Sequence, residues 1–151
     1  MSTGRGKYAT RAMLELSLSY DKGPILIHQI TERQRIPVKF LEQILLALKS
    51  TGFVRSRKGP GGGYYLTKSP SCITVEAILR SVDGPIALVR CASLTRHQEC
   101  GCPDPTTYGL RQVWQEAREA LAGVLDRTTF RDICSKHLSG AAEHGGFDYS
   151  I

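Results

Sequence analysis

Cysteine is the residue with the most distinctive chemistry in this 151-residue chain, and three of its five cysteines, Cys91, Cys100 and Cys102, fall within twelve residues. Thiolates are soft ligands that suit iron, so a loop with this spacing can hold a 2Fe-2S or a 4Fe-4S cluster. Only Gly101 separates Cys100 from Cys102, which leaves little room for both thiolates to bind the same cluster. Two other interpretations stay open: a thiol or disulfide redox switch, and a loop without a sensing role.

The other two cysteines, Cys72 and Cys134, lie on or beside apolar helical patterns, and we expect them to be buried, inert thiols. An odd number of cysteines disfavours a complete disulfide framework. Cys91 and His97 are the best nucleophile and base pair available, but no oxyanion motif or third orienting group accompanies them. We therefore expect a protein that is not an enzyme.

A second distinctive segment, RSRKGPGGGY, runs from Arg55 to Tyr64 and combines three cations with a glycine-rich turn. Glycine lets the backbone approach another surface closely, and cations at a hairpin tip can enter a narrow, electronegative minor groove of DNA. A phosphate-binding loop needs Gly-Lys-Ser/Thr and then a helix, whereas a strand-like segment follows here. A plain flexible hairpin is the alternative. The predicted DNA-contacting residues of the hairpin are Arg55, Arg57, Lys58, Gly61 and Gly62.

A third group of polar side chains, Lys39, Glu42 and Gln43, lies off the apolar stripe of a helix that precedes the hairpin. Lys can donate hydrogen bonds to guanine, Gln can pair with adenine, and Glu can accept from cytosine in the major groove. A solvated polar face is the alternative. We expect these three residues to read bases, and Arg5 and Lys7 near the N-terminus to contact phosphates.

Hydrophobic periodicity predicts the elements that position these groups. The predicted helices span residues 7–20, 25–33 and 39–50, and the predicted strands span 53–57 and 64–67. The apolar stripes of the first and third helices are formed by Ala9, Ala12, Met13, Leu16 and Tyr20, and by Phe40, Leu41, Ile44, Leu45 and Leu48. A mainly α chain with three short helices before a basic β-hairpin is typical of a winged helix-turn-helix.

The second half of the chain is predicted to be helical on both sides of the cysteine loop. Thr74 begins a helix that Asp83-Gly84-Pro85 ends, and residues 86–107 form the loop. A long helix over 108–125 carries apolar residues at three- and four-residue steps, and a last helix spans 129–138.

The charge is concentrated in the N-terminal half. Residues 1–70 contain twelve Lys and Arg against four Asp and Glu, whereas residues 71–151 contain eight against ten. This asymmetry favours contact of one half with a polyanion, although a solvated basic surface is the alternative.

No apolar run approaches the roughly 18 residues that span a membrane. The N-terminus lacks the apolar stretch of a signal peptide, so we expect a cytoplasmic protein without membrane contact.

Several segments together carry a resemblance: KYA and AML over residues 7–14, FLEQIL at 40–45, GPGGGY at 59–64, SVDG at 81–84 and LDRTT at 125–129. This pattern resembles the Rrf2 family of bacterial winged-helix repressors, typified by iron–sulfur, nitric-oxide and cysteine-metabolism regulators. The resemblance implies a homodimer held by the long helix, bound to a pseudo-palindromic operator in double-stranded DNA. By position it places Glu42 and Gln43 on base-contacting sites, Lys39 beside them, and Lys58 where a wing Arg is usual.

The resemblance also implies an order of segments along the chain. These are a winged helix-turn-helix DNA-binding domain over 1–70, a helix and cysteine-containing sensor loop over 71–107, a dimerisation helix and terminal helix over 108–138, and a flexible tail over 139–151.

The cysteine loop departs from the family pattern. Cluster-bearing members place their last loop cysteine a short distance before the tryptophan of the long helix, where this chain has Tyr108. Some members add an acidic or histidine ligand from the partner's first helix, whereas Lys7, Tyr8 and Arg11 stand in that region here.

The expected metal ligands are therefore Cys91, Cys100 and Cys102, with His97, Glu99 or a non-protein group as the fourth. The 2Fe-2S type is favoured over 4Fe-4S. The sequence predicts a DNA-binding repressor controlled by an iron–sulfur cluster or by the redox state of the loop. The alternative is a cofactor-free regulator that senses thiol oxidation or a partner enzyme or metabolite.

Overall fold

The computed structural model describes residues 4–84 and 109–143, and these form helices with one two-stranded hairpin. The predicted metal ligands Cys91, Cys100 and Cys102 lie outside the described residues. The elements in chain order are α1 (Gly4–Leu18), α2 (Ile27–Gln34), α3 (Val38–Ser50), β1 (Val54–Arg57), β2 (Gly63–Leu66), a 3-10 turn (Pro70–Cys72), α4 (Val75–Asp83), α5 (Gly109–Arg127) and α6 (Phe130–Glu143). This architecture confirms the predicted mainly α fold with a hairpin wing. No helix in these two ranges is long and apolar enough to cross a membrane.

Helix α1 lies at the centre of the molecule and contacts α2, α3, α4 and α6. Its buried face is formed by small and apolar residues at helical spacing, Ala9, Ala12, Met13 and Leu16. The alanines let neighbouring helices approach closely, and burial of the larger residues supplies hydrophobic stabilisation. The prediction that Tyr20 belongs to this face is wrong, because α1 ends at Leu18 and Tyr20 is 42% exposed in the following turn.

The turn between α2 and α3 is fixed by its backbone geometry. Arg35 follows α2 with φ 51°, in the left-handed region, and its N–H bonds back to the carbonyl oxygen of Thr31. Pro37 then precedes the first residue of α3, where its missing N–H costs nothing because the first turn has no intrahelical acceptor for it. These two residues end one helix and begin the next within three positions, as a helix-turn-helix requires.

Helix α3 buries Leu41, Ile44, Leu45 and Leu48, which confirms most of its predicted apolar stripe. Phe40 is the exception, because it is 49% exposed and lies at the margin of the buried face. Its ring packs against that of Tyr8 on α1, with centroids 6.0 Å apart.

Strands β1 and β2 pair antiparallel, with Val54 opposite Leu66 and Arg57 opposite Gly63. Ile25, which precedes α2, extends this hairpin by an isolated bridge to Tyr64, with N–H donors in both directions at 3.0 and 2.7 Å. The glycine-rich turn therefore joins two strands that are anchored to the body of the domain.

The core of the N-terminal half extends into the C-terminal helices. Phe130, at the start of α6, is completely buried in the same cluster as Met13, Ile73 and Ile78. Thr74, which is expected to begin α4, is its N-cap, since its Oγ1 accepts a hydrogen bond from Ala77 N–H at 3.2 Å. The last helix is longer than predicted: α6 runs to Glu143, so residues 139–143 of the predicted flexible tail are helical.

Candidate nucleic-acid interface

The three predicted base-reading residues lie together on the exposed side of α3. Lys39, Glu42 and Gln43 are all exposed, and a helix repeat of 3.6 residues places them on one face, opposite the buried leucines. Their donors and acceptors therefore point away from the core. A helix that presents such a face next to a hairpin has the shape needed to enter a major groove.

The wing presents its cations on the solvent side of β1. Val54 is buried while Arg55 and Arg57 are exposed, because successive side chains of a strand point to opposite faces. Lys58 follows in the exposed turn. The hairpin thus carries three positive side chains beyond the core, as predicted.

The two glycines predicted to contact DNA, Gly61 and Gly62, differ in their surroundings. Gly61 is exposed at the tip, with φ 73° and open space where a side chain would be. Gly62 is buried, and a Cβ there would lie 2.3 Å from the carbonyl oxygen of Arg57. Gly62 is therefore required by the close turn of the hairpin itself, a structural role that a run of glycines in the sequence does not distinguish from DNA contact.

A hydrogen bond joins the wing to α3. Lys49 Nζ, near the end of α3, donates to Ser56 Oγ on β1 at 3.0 Å. Ser56 lies between the two wing arginines in sequence, so this contact links the strand that carries them to the C-terminal end of α3. Neither residue stood out in the sequence analysis, because the contact depends on how the hairpin folds back against α3.

The predicted phosphate contacts Arg5 and Lys7 are exposed on the first two turns of α1. Arg5 lines a shallow cavity of about 710 Å³ together with Tyr8, Phe40 and the C-terminal residues of α4.

A buried carboxylate holds α2 against α1. Glu15 is buried and accepts hydrogen bonds from Gln34 Nε2 at 2.7 Å and from Arg33 Nη1 at 3.4 Å. Arg11 donates to the side-chain and main-chain oxygens of the same Gln34. A buried charge is tolerated only with such partners, so this network fixes the helix that precedes α3.

The two cysteines in the described residues, Cys72 and Cys134, are free thiols. The prediction that Cys72 is buried is wrong, since the short 3-10 turn leaves it exposed. Cys134 is half-buried on α6; burial raises the pKa of its thiol, and the nearby Glu15 carboxylate raises it further. Cys134 therefore stays protonated at neutral pH and is a weak nucleophile. Across residues 4–84 and 109–143 no group of three or more His, Cys, Asp or Glu side chains could hold a metal ion.

Comparison with known proteins identifies the family. A family model described as "Rrf2: Iron-dependent Transcriptional regulator" matches residues 2–136. The chain belongs to the Rrf2 family. Its members are transcriptional regulators that bind DNA, which confirms the expectation of a DNA-binding regulator and not an enzyme.

Individual relatives support this assignment over most of the chain. The HTH-type transcriptional regulator IscR of Klebsiella pneumoniae (strain 342) is 34% identical over 131 residues, which cover 87% of this chain and 77% of the relative. The Bacillus subtilis global cysteine regulator CymR has a similar structure, with a TM-score of 0.75, 30% identity and coverage of 90% of this chain and 97% of that one. The structure of T. potens IscR gives a TM-score of 0.74 at 25% identity, and covers 99% of this Rrf2 chain and 93% of that one.

Proposed function

We propose that this protein is a homodimeric repressor that binds a pseudo-palindromic operator in double-stranded DNA. The observation that carries the proposal is the joined surface of α3 and the wing, where exposed Lys39, Glu42 and Gln43 adjoin a hairpin with three exposed cations. Each protomer has one such surface. A dimer would present two of them to successive major grooves, spaced by about one helical turn of 34–36 Å.

The two parts of this surface serve different purposes in the proposal. Lys39, Glu42 and Gln43 read base edges, and each good contact contributes about 1–3 kcal/mol of discrimination. The wing cations at residues 55–58, the exposed Gly61, and the N-terminal cations Arg5 and Lys7 approach the backbone or the minor groove. These contacts supply the salt-dependent part of the affinity. Gly62 contributes by shaping the turn.

The exposed apolar stripe of α5 supports the dimer. Leu110, Val113, Trp114, Leu121 and Val124 are exposed in the single chain and recur at helical spacing along one side. An apolar stripe of this length is unfavourable in water and is typical of a surface that a partner covers. A second copy of the same helix would cover it symmetrically.

We propose that the segment containing Cys91, Cys100 and Cys102 controls DNA binding. This segment connects α4 to α5, and the far end of α5 is attached to the DNA-binding core. Val75 N–H donates to the carbonyl oxygen of Thr128 at 3.0 Å, and Phe130 N–H donates to that of Ile73 at 3.0 Å. A shift of α5 would therefore displace the core and change the spacing of the two recognition helices.

Two chemistries could drive that shift. An iron–sulfur cluster is supported by the presence of three cysteines within twelve residues and by the iron-dependent description of the family. A thiol switch without a cofactor is supported by the similarity to Staphylococcus aureus CymR, whose structure is known in an oxidised form, with a TM-score of 0.72 and 25% identity.

The DNA-binding proposal is tested by selection of duplexes from a random pool with the full-length protein, followed by sequencing of the retained DNA. We expect enrichment of one pseudo-palindromic motif. Recovery of unrelated sequences in proportion to the starting pool would contradict the proposal.

The signal is tested by a visible absorption spectrum, with iron and sulfide assays, of protein purified without oxygen. Stoichiometric iron and sulfide with visible absorbance would support the cluster. A protein that stays colourless after reconstitution would support a cofactor-free regulator that senses thiol oxidation or a partner enzyme or metabolite. Replacement of Cys91, Cys100 and Cys102 by Ala should remove any difference in operator affinity between reducing and oxidising conditions. If that difference persists in the triple variant, the loop is not the sensor.

A further inference from the structure

An apolar side chain stands in the middle of the polar base-reading face. Leu46 on α3 is 68% exposed, the highest value among the large apolar side chains of the described residues. Four other apolar residues of α3, Leu41, Ile44, Leu45 and Leu48, are buried, whereas Val38 and Phe40 in its first turn are each 49% exposed. Leu46 is therefore not part of the core, and it is solvated in the free protein.

The position of Leu46 relative to the polar residues is that of a base-reading residue. Lys39, Glu42, Gln43 and Leu46 follow the spacing i, i+3, i+4 and i+7. Homeodomain recognition helices read bases with side chains at the same spacing. At 100° per residue, Leu46 falls between Glu42 and Gln43 around the helix, one turn further along it.

The neighbours of Leu46 favour DNA over a protein partner as its contact. The residues around it on this face are polar or charged, and Lys49 beyond it is held by the wing through Ser56. A protein-docking patch would need several adjacent apolar side chains. A single apolar group among hydrogen-bonding groups matches the edge of an A·T pair, which presents polar atoms and one methyl group in the major groove.

We propose that Leu46 is a specificity-determining residue that contacts the C5-methyl group of a thymine in the operator. The inference rests on the proposed function and adds one base preference to it. Contact removes the leucine side chain and the methyl group from water together. Cytosine and the purines present no such methyl group, so this contact favours thymine at one position of each half-site.

The experiment starts from a duplex selected by the full-length protein. Each thymine is replaced in turn by deoxyuridine, which lacks only the C5-methyl group, and affinity is measured by fluorescence anisotropy. We expect one thymine per half-site whose replacement weakens binding about fourfold, the value for burial of one methyl-sized group. All other replacements should have smaller effects.

The Leu46→Ala variant decides whether this leucine makes the contact. Alanine is a strong helix former, so the exposed position tolerates the change. The variant should bind the thymine and deoxyuridine duplexes equally, while Leu138→Ala, a matched control at a 61% exposed leucine on α6, should keep the fourfold difference. A selected duplex in which no thymine matters, or an unchanged difference in Leu46→Ala, would overturn this inference alone. Failure to select any motif would overturn the proposed function as well.

Discussion

Gly63 at the start of β2 lies directly against the backbone of Ile25. A Cβ on Gly63 would lie 2.3 Å from the carbonyl oxygen of Ile25, and the residue has φ 140°, a conformation that side chains rarely adopt. The neighbouring Tyr64 exchanges both main-chain hydrogen bonds with Ile25. The close approach therefore attaches the wing to the segment that leads into α2.

We expect Gly63→Ala to destabilise the fold by about 3 kcal/mol or more, because both the clash and the backbone conformation oppose it. Gly61→Ala is the matched control, since Gly61 also has a positive φ but faces open space. Its expected cost is about 1–2 kcal/mol, the cost of a side chain in the left-handed backbone region. Urea unfolding of both variants measures the difference. If the two variants are equally stable, the backbone around Ile25 moves to accommodate the added Cβ without measurable cost.

Two single variants should distinguish a base-reading residue from a phosphate-contacting residue by their different effects on DNA affinity. Gln43→Ala should lower affinity for the selected operator by about 1–3 kcal/mol and relax the preference at one base pair. Lys58→Ala should weaken binding to all duplexes alike and reduce the slope of log K against log salt by about one. Anisotropy titrations at several salt concentrations measure both quantities. A uniform loss of affinity for Gln43→Ala would contradict its base-reading role.

Sequence periodicity predicts the helices and the hairpin well, because a buried face repeats locally. It could not place Phe40 and Tyr20, since an apolar residue at the edge of a stripe is buried only if a neighbouring element covers it. Composition also could not separate Gly62, which shapes the turn, from Gly61, which faces solvent. These distinctions depend on contacts between segments distant in sequence.

The candidate site was predictable to the extent that it lies on one element. Lys39, Glu42 and Gln43 share a helix, so their common face follows from spacing alone. The hydrogen bond between Lys49 and Ser56 depends on how the wing packs against α3. The burial of Phe130 depends on how the segment after α5 packs against α1 and α4. The buried Glu15 network is likewise invisible in the sequence, because its partners lie on a different helix.

Phe130 should be essential for the stability of the DNA-binding half, although it follows the long helix in sequence. Its side chain is fully buried in the core that α1 and α4 share. We expect Phe130→Ala to lower the free energy of unfolding by about 3–5 kcal/mol. Leu138→Ala, at an exposed position of the same helix, should change it by less than about 0.5 kcal/mol. If Phe130→Ala has a similarly small effect, the C-terminal helices do not share the core.

The start of α6 should make stability depend on pH. Thr129 N–H donates to Asp132 Oδ2 at 3.0 Å, and Asp132 N–H donates to Thr129 Oγ1 at 3.2 Å, a reciprocal cap. The backbone bond from Thr129, helped by its side chain, lowers the pKa of Asp132 below the ordinary value of 3.8. The stabilisation is therefore present above that value and is lost as the pH falls through the lower folded-state pKa.

Asp132→Asn removes this titration, so wild type should be more stable than the variant at neutral pH. The difference between their urea midpoints should shrink in acid, as the wild-type carboxylate becomes protonated. Leu138→Ala, at an exposed position of the same helix, removes no titratable group and serves as the control, so its difference from wild type should not change with pH. If the difference in urea midpoint between wild type and Asp132→Asn stays constant as the pH falls, the ionised Asp132 carboxylate does not stabilise the start of α6.

A charge placed in the apolar stripe of α5 should dissociate the proposed dimer. Val113 is 58% exposed in the single chain and lies in the stripe with Leu110 and Trp114. Val113→Glu would bury an unpaired carboxylate at the interface, which we expect to weaken dimerisation by about 2 kcal/mol or more, or about thirtyfold. Gln112→Glu adds the same charge one residue away, outside the stripe, and should leave the dimer intact. Sedimentation equilibrium measures the dissociation constants of both variants. Because the proposed dimer binds its operator with two recognition helices, Val113→Glu should also lose operator affinity at low protein concentration. Equal dissociation of the two variants would mean that α5 dimerises through another face or not at all.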